Sequence, residues 1–176
     1  MKNTFAKSIG FTCLAIMMIV SAHNFASGQE KQQLDDLATT SARSGTNGIV
    51  GAWETTVYPR NCQTGEQVAP SFQGLITFNK GGTLAEFGAN PATPFRTPGH
   101  GTWQEGWRGD DSYFMVFSFI PLTPAGVPVG RLKVTQTIEH DRYTDVTSSS
   151  GSFRLTNPAG IVIGSGCSTS TAVRLR

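Results

Sequence analysis

The chain has 176 residues, with 14 basic and 12 acidic side chains and a formal net charge of +2 at pH 7. This length suits a single domain. The sequence contains no run of lysine and arginine, so it gives no indication of binding to nucleic acid or to an anionic membrane.

The first 28 residues have the layout of a secretory signal peptide. Lys2 and Lys7 give a positive start, an apolar run covers residues 9–20, and small residues at 26–28 offer a cleavage site. The apolar run is about a dozen residues, whereas a spanning helix needs roughly 20. We therefore expect a secreted or periplasmic protein with no membrane span after cleavage; a retained anchor is the alternative. Without Lys2 and Lys7, the mature chain has 12 basic and 12 acidic residues and a net charge near zero.

Cleavage also removes Cys13 and leaves Cys62 and Cys167. An even cysteine count in an exported protein favours a disulfide between them. Such a bridge closes a loop of about 105 residues, which stabilises the fold by about 4–5 kcal/mol in the chain-entropy model. Two unpaired thiols or a redox pair are the alternatives, and the absence of a Cys-x-x-Cys motif argues against redox chemistry.

Residues 29–48 are polar, which predicts a linker, and residues 30–40 could form one short helix within it. After Gly48, short runs rich in Thr, Val, Ile and Phe alternate with turn residues, which predicts strands. The runs cover residues 49–58, 71–78, 83–88, 100–107, 112–120, 129–139, 143–155 and 161–175. Eight strands in hairpin sequence are enough to close a sheet. We therefore predict an all-β, eight-stranded antiparallel up-and-down barrel over residues 49–176, with the last strand paired to the first and no edge left open.

Three connections, at residues 60–70, 88–99 and 120–128, are long or rich in proline. Loops of this kind lie on the surface, and a binding mouth is expected among them. The fifth strand is apolar on both faces, which predicts that both faces are covered. The last strand has small residues on one face, from Gly164 to Ala172, and the sequence does not decide whether this face points into the barrel.

A tight turn at residues 140–141 would place Gln136 opposite Asp145 and Ile138 opposite Tyr143. In this register Gln136 and Asp145 point inward, where a carboxylate must be hydrogen-bonded or neutral. A slip of one residue puts Asp145 in water instead. Both alternatives stay open at this point.

Gly51-Ala52-Trp53 in the first strand, together with Arg174 or Arg176 in the last, resembles the closing arrangement of lipocalins and related calycin barrels. In that family the glycine, the tryptophan and a basic residue of the final strand meet at the closed end. The resemblance implies that a guanidinium lies over the Trp53 indole, and that Trp53 is structural rather than a ligand contact. Residues 61–103 also resemble uncharacterised exported bacterial proteins, and no activity comes with that resemblance.

The favoured hypothesis is a barrel that binds a small, largely apolar molecule. The candidate ligand-binding residues are aromatic side chains and a histidine near the long loop, together with the residues of the predicted sixth and seventh strands. They are Phe95, His100, Trp103, Trp107, Gln136, Tyr143 and Asp145.

Two alternatives remain. One is an enzyme of the barrel cyclase or isomerase kind, with Asp145, Glu86 or His100 as acid and base, or with Glu86 and Glu105 as a carboxylate pair. The other is a module that binds the cell envelope or another protein through its loops and has a filled barrel. The chain has no G-x-S-x-G and no metal-binding spacing, so no cofactor, metal or nucleic-acid partner is expected.

Overall fold

The computed structural model describes residues 48–106 and 111–176. The predicted signal peptide, the predicted linker up to residue 47, and Trp107 lie outside these residues. The described chain forms eight strands: β1 (Gly51–Arg60), β2 (Phe72–Phe78), β3 (Thr83–Gly88), β4 (Gly99–Glu105), β5 (Ser112–Phe119), β6 (Arg131–Asp141), β7 (Val146–Thr156) and β8 (Val162–Arg174). Neighbours in sequence pair antiparallel, and the sheet closes into a barrel. The predicted all-β, eight-stranded antiparallel barrel is confirmed. No helix within these described ranges is long and apolar enough to span a bilayer.

Pairing between β8 and β1 closes the barrel. The register runs from Trp53 opposite Arg174 to Arg60 opposite Cys167. Cys62 lies two residues after the end of β1, so the β1–β8 ladder brings it near Cys167, with 5.1 Å between their Cα atoms in the disulfide. The predicted Cys62–Cys167 bridge is confirmed.

The barrel interior follows the period of two along each strand. Trp53 and Thr55 of β1 are buried, as are four alternate residues of β5: Tyr113, Met115, Phe117 and Phe119. The small-residue face of β8, with Ser168 and Ala172 buried, also points inward. The interior is therefore built from large side chains on one side and small ones on the other.

The described residues leave the outer face of β5 largely uncovered; the N-terminal segment that could cover it lies outside them. Phe114 and Ile120 are exposed on the outer side. Among the described residues no second layer covers this face, although Val116, flanked by Thr102 and Thr135 on the neighbouring strands, is partly shielded.

The predicted turn between the sixth and seventh strands is wrong. β6 continues to Asp141, which pairs with Val146, and Gln136 lies opposite Gly151 rather than Asp145. The turn lies at residues 142–145 rather than at 140–141, and this displaces the partner of each β6 residue by six positions along β7.

The side chain of Asp141 explains the longer turn. Its Oδ1 accepts hydrogen bonds from the amides of Tyr143 and Thr144, and its Oδ2 accepts one from the Thr144 hydroxyl. Such an Asx turn competes with strand pairing. Tyr143 is left fully exposed at the turn, and Asp145 adopts a positive φ of 54°.

Alternating strand direction gives the barrel two different ends. The connections 61–71, 89–98, 120–130 and 157–161 meet at one end, which we call the loop end. The tight β2–β3 and β6–β7 turns, the start of β1 and the finish of β8 lie at the other, which we call the closed end.

Candidate functional site

The closed end is built on Trp53. Its indole Nε1 donates a hydrogen bond to the Ile49 carbonyl at 2.8 Å, and both side chains are completely buried. Gly51 adopts a φ of 139°, and a Cβ on it would lie 2.5 Å from an Arg174 nitrogen. Only glycine fits there without strain, because L side chains rarely adopt this φ and the guanidinium fills the space.

Arg174 joins four groups at this end. Its guanidinium lies 4.2 Å from the centre of the Trp53 ring, a cation–π contact. Nη1 and Nη2 donate hydrogen bonds to the carbonyls of Val50 and Gly48, at 2.6 and 2.7 Å, and Nε donates to Asp145 Oδ2 at 2.7 Å. The planar fork of an arginine serves all four partners at once.

Asp145 completes this arrangement. The hydrogen bond from Arg174 lowers the pKa of Asp145, and the His140 ring nitrogen, 3.0 Å from Oδ1, lowers it further against the opposing effect of burial. The His140 ring packs edge-on against Trp53 at 5.4 Å. The structure thus places Asp145 in the seal of the closed end, and not beside Gln136 in the lumen. We call Trp53, Asp145, His140 and Arg174 the seal.

The loop end is different, because several side chains point into the barrel there and yet are only half-buried. They come from β1, β2, β6 and β7: Val57, Phe72, Leu132, Phe153 and Leu155. These side chains therefore face the barrel axis and remain partly accessible to solvent from the loop end. We call the part of the interior that they line the mouth.

A polar layer lies below the mouth. Gln136 is buried, donates from Nε2 to the Ser168 hydroxyl at 3.1 Å, and accepts from the Ser149 hydroxyl at 2.9 Å. Ser149 is also 2.6 Å from the Ser170 hydroxyl. Every buried side chain of this layer has a partner, as burial of polar groups requires. We call Gln136, Ser149, Ser168 and Ser170 the floor of the mouth.

A buried ion pair forms the opposite wall. Arg96, from the proline-rich connection between β3 and β4, binds Glu86 of β3, and the two side chains are 4 % and 10 % exposed. The guanidinium also lies 3.7 Å from the centre of the Phe119 ring. Burial raises the pKa of Glu86, and the hydrogen bond and charge of Arg96 only partly oppose this. Gly99 makes room for the carboxylate, because a Cβ there would lie 2.5 Å from Glu86 Oε2.

The small residues of β8 do not all leave space. A Cβ on Gly166 would lie 2.6 Å from the Phe153 ring, so that ring fills the space above this glycine. At Gly164 the nearest atom to an added Cβ is Leu155 Cβ, at 3.8 Å. A side chain is therefore less hindered at Gly164, close to the loop end, than at Gly166.

The described aromatic candidates, Phe95 and Trp103, do not lie together near the long loop. Phe95 is half-exposed at the loop end, whereas Trp103 lies near the closed end. The Trp103 indole donates to the Asn79 carbonyl at 3.1 Å and packs edge-on against Phe78 and Tyr113. β4 begins at the long loop and runs away from it at about 3.4 Å per residue, which carries Trp103 to the far end.

Other candidates also lie away from the mouth. His100 is exposed on the outer face of β4, and Tyr143 is at the tip of a closed-end turn. Glu105 ends β4 at the closed end, so Glu86 and Glu105 are not a carboxylate pair. Among the candidate ligand residues that the structure describes, Gln136 lies directly below the mouth and Phe95 on a loop at its rim.

Sequence reasoning did not identify Arg96 as a site residue. The inward position of Glu86 follows from its spacing of two from the buried Leu84, a signal that is present in the sequence. Nothing in the sequence shows that a loop arginine folds back onto this carboxylate.

A surface depression of about 470 Å³ lies near the β4–β5 connection, with Gln104, Phe114 and Thr137 in its lining. These residues belong to the outer face, so the depression is separate from the mouth. In the described ranges no three His, Cys, Asp or Glu residues are grouped as metal ligands would be. Compared with protein-family models, curated proteins and solved structures, the chain matches none of them.

Proposed function

We propose that the protein is an exported, calycin-like barrel that binds one small, largely apolar molecule in the mouth. One observation carries the proposal: five apolar side chains point into the barrel at the loop end and are only half-buried. Apolar surface that faces the barrel axis and stays partly accessible to solvent favours an apolar occupant.

The chemistry of the surrounding residues narrows the ligand class. Leu132, Phe153 and Leu155 supply apolar walls, and the floor supplies hydroxyl and amide groups through Gln136. Arg96 and Glu86 neutralise one another in the opposite wall. A compact apolar ligand with one hydrogen-bonding group fits this distribution, whereas a strongly charged ligand would have to displace a buried ion pair.

Export and the lipocalin resemblance are part of this proposal. A disulfide is typical of proteins that leave the reducing cytosol. The contact of Gly51 and Trp53 with Arg174 supports the calycin resemblance, because this is the closing arrangement that the resemblance implies.

Blocking the mouth tests the ligand. Gly164→Phe adds a large side chain where an added Cβ meets no atom closer than 3.8 Å. We expect it to weaken binding of the uncharged fluorescent probe 1-aminoanthracene by about tenfold or more, equivalent to about 1.4 kcal/mol. Ser165→Phe is the matched control, because it adds the same side chain one position along, on the exposed outer face.

The readout should be the fluorescence of the probe. Trp53 and Trp103 are near the closed end and would respond weakly to a ligand in the mouth. The proposal fails if the probe does not saturate, or if Gly164→Phe and Ser165→Phe bind equally well while both remain folded.

One observation favours a second candidate, an isomerase or cyclase. Glu86 is an inward-facing carboxylate whose pKa is raised by burial, a property of general acids and bases. In such an enzyme Glu86 takes a proton from a ligand C–H bond and returns a proton to another position. When a bound ligand is incubated in D₂O, the unaltered protein should introduce deuterium into the ligand and the Glu86→Gln variant should not. If neither protein introduces deuterium, the isomerase candidate fails and ligand binding is the remaining function.

A further inference from the structure

Apolar side chains are exposed on the connections of the loop end. The six are each between 49 % and 62 % exposed and come from the β1–β2, β3–β4 and β5–β6 connections and from the entry into β8. They are Val68, Phe95, Val127, Ile161, Val162 and Ile163, which we call the apolar rim. Single exposed apolar residues are ordinary, but a group collected at one end marks an interaction surface.

Several loops that carry the rim are held together. Leu122 donates a backbone hydrogen bond to the Phe95 carbonyl at 2.8 Å, which ties the β5–β6 connection to the β3–β4 connection. Gly130 packs so closely on the β7–β8 turn that a Cβ there would lie 1.8 Å from the Thr156 carbonyl oxygen. Three of the four connections that carry the rim are thus joined, and Val68 lies on the fourth, between β1 and β2.

Three exposed basic side chains lie just behind the rim on the outer face of β6 and β7. Lys133 pairs directly with Arg154, and Arg131 is two residues from Lys133. We call these three the basic collar. Their side chains form no ion pair with the described carboxylates. Like charges directly opposite one another on a sheet are destabilising, so the arrangement favours an anion supplied from outside the chain.

Charge is divided unevenly between the two halves of the described barrel. The half nearer the loop end has five basic residues, including Arg60 and Arg96, against two acidic ones, Glu66 and Glu86. The half nearer the closed end has four basic residues against six acidic ones. An anionic surface would therefore attract the loop end and repel the closed end.

We propose that the loop end docks on an anionic lipid bilayer, with the apolar rim in the interface and the basic collar against lipid phosphates. Peripheral elements bury apolar groups about 5–10 Å into this interface. Val162 pairs with Thr156, two residues beyond Arg154, so Arg154 lies about 7 Å behind the rim along the strand. This offset places the collar at the depth of the head groups when the rim is inserted.

The sequence alone predicts no anionic-membrane surface, because its basic residues are dispersed along the chain. Pairing of β6 with β7 brings Arg154 beside Lys133, 21 positions away in sequence. The docking inference does not depend on the proposed ligand, and the two are tested by different assays.

The test is co-sedimentation of the purified protein, its N-terminus defined by mass spectrometry, with lipid vesicles. Phosphatidylcholine vesicles containing about one third phosphatidylglycerol should bind it, and pure phosphatidylcholine should bind it much less. The triple variant Arg131→Gln, Lys133→Gln, Arg154→Gln should lower the partition coefficient about 100-fold. High salt should have a similar effect, because the screening length falls to about 3 Å at 1 M.

A matched control removes the same charge from the closed end, through Lys80→Gln, Arg142→Gln and Arg176→Gln. These substitutions should change binding by less than about threefold, since they lie on the far side of the barrel from the bilayer.

A third triple variant tests the rim: Val127→Ser, Ile161→Ser and Ile163→Ser should weaken vesicle binding by at least about tenfold. Failure of the unaltered protein to bind, or equal loss in the two charge variants, overturns the proposal. The proposal also fails if the unaltered protein self-associates and the rim variant is monomeric, because the rim would then bind a second copy of the chain. If none of the three variants alters vesicle binding, other residues are responsible for the binding and the proposal is refuted.

Discussion

Replacing Arg174 by methionine tests whether the seal holds the barrel closed. The substitution keeps a long apolar stem but removes every hydrogen bond of the guanidinium. Gly48 and Val50 lose a donor to their carbonyls, and Asp145 loses its charge partner. The cation–π contact with Trp53 is lost at the same time.

The size of the effect follows from these contacts. Each hydrogen bond to a charged group contributes about 1.5–3 kcal/mol to the free energy of unfolding. A cation–π pair contributes about 0.5 kcal/mol when it is exposed and about 2 kcal/mol when it is desolvated. These terms share one side chain and are not additive. Removal of one member of a buried pair costs about 3–5 kcal/mol, and because the Asp145 side chain is 23 % exposed we place the loss near the lower end, about 3–4 kcal/mol. Arg174→Lys keeps the charge but not the planar fork, and should recover only about a third of this.

The assay is urea unfolding at neutral pH with the disulfide intact. With a slope of roughly 1–3 kcal/mol per molar urea, the midpoint should fall by about 2 M. Arg176→Met is the control, because Arg176 is exposed beyond the end of β8 and should shift the midpoint little. A loss below about 1 kcal/mol in Arg174→Met would refute the view that this side chain seals the barrel.

Three further predictions concern the same framework. Replacing Cys62 and Cys167 together by serine should cost about 2–5 kcal/mol in the same unfolding assay, and an unchanged midpoint would contradict this. Gly51→Ala should cost about 1–3 kcal/mol, because of its φ of 139° and the 2.5 Å approach to Arg174; a stability equal to the unaltered protein would show that the backbone relaxes. Since the folded-state pKa of Asp145 is lowered, its contribution is present above the unfolded value of about 3.9 and is lost as pH falls through the folded pKa. Asp145→Asn should therefore lower stability at neutral pH and flatten its decline below about pH 4, and a parallel decline in both proteins would contradict the assignment.

The barrel could be predicted from the sequence because its signals are local. Alternation with a period of two marks strands, and glycine turns such as Gly81-Gly82, both with positive φ, mark hairpins. The cysteine count predicted the bridge for a similar reason: only Cys62 and Cys167 remain once the expected signal peptide is removed. Strand order then follows from chain order in an up-and-down barrel.

The candidate site was harder to predict because it depends on contacts between distant residues. Hydrogen bonds from the amides of Tyr143 and Thr144 to Asp141 lengthened one turn and moved Asp145 from the expected lumen to the seal. The fold-back of Arg96 onto Glu86 is set by the path of a loop, and no spacing in the sequence reports it.

The inferred docking surface implies a balance between stability and binding. Lys133 and Arg154 oppose each other across β6 and β7, and this repulsion lowers stability with no compensating partner among the described carboxylates. Lys133→Glu would replace the repulsion by a cross-strand ion pair and should stabilise the barrel by about 0.2–1 kcal/mol. If the collar exists to meet lipid phosphates, the same substitution should weaken binding to anionic vesicles, because it places a carboxylate at the depth of the head groups. If Lys133→Glu raises both the stability and the vesicle affinity, Lys133 and Arg154 have no role at a membrane. A gain in stability with a loss of vesicle affinity is the trade-off expected where surface residues serve binding.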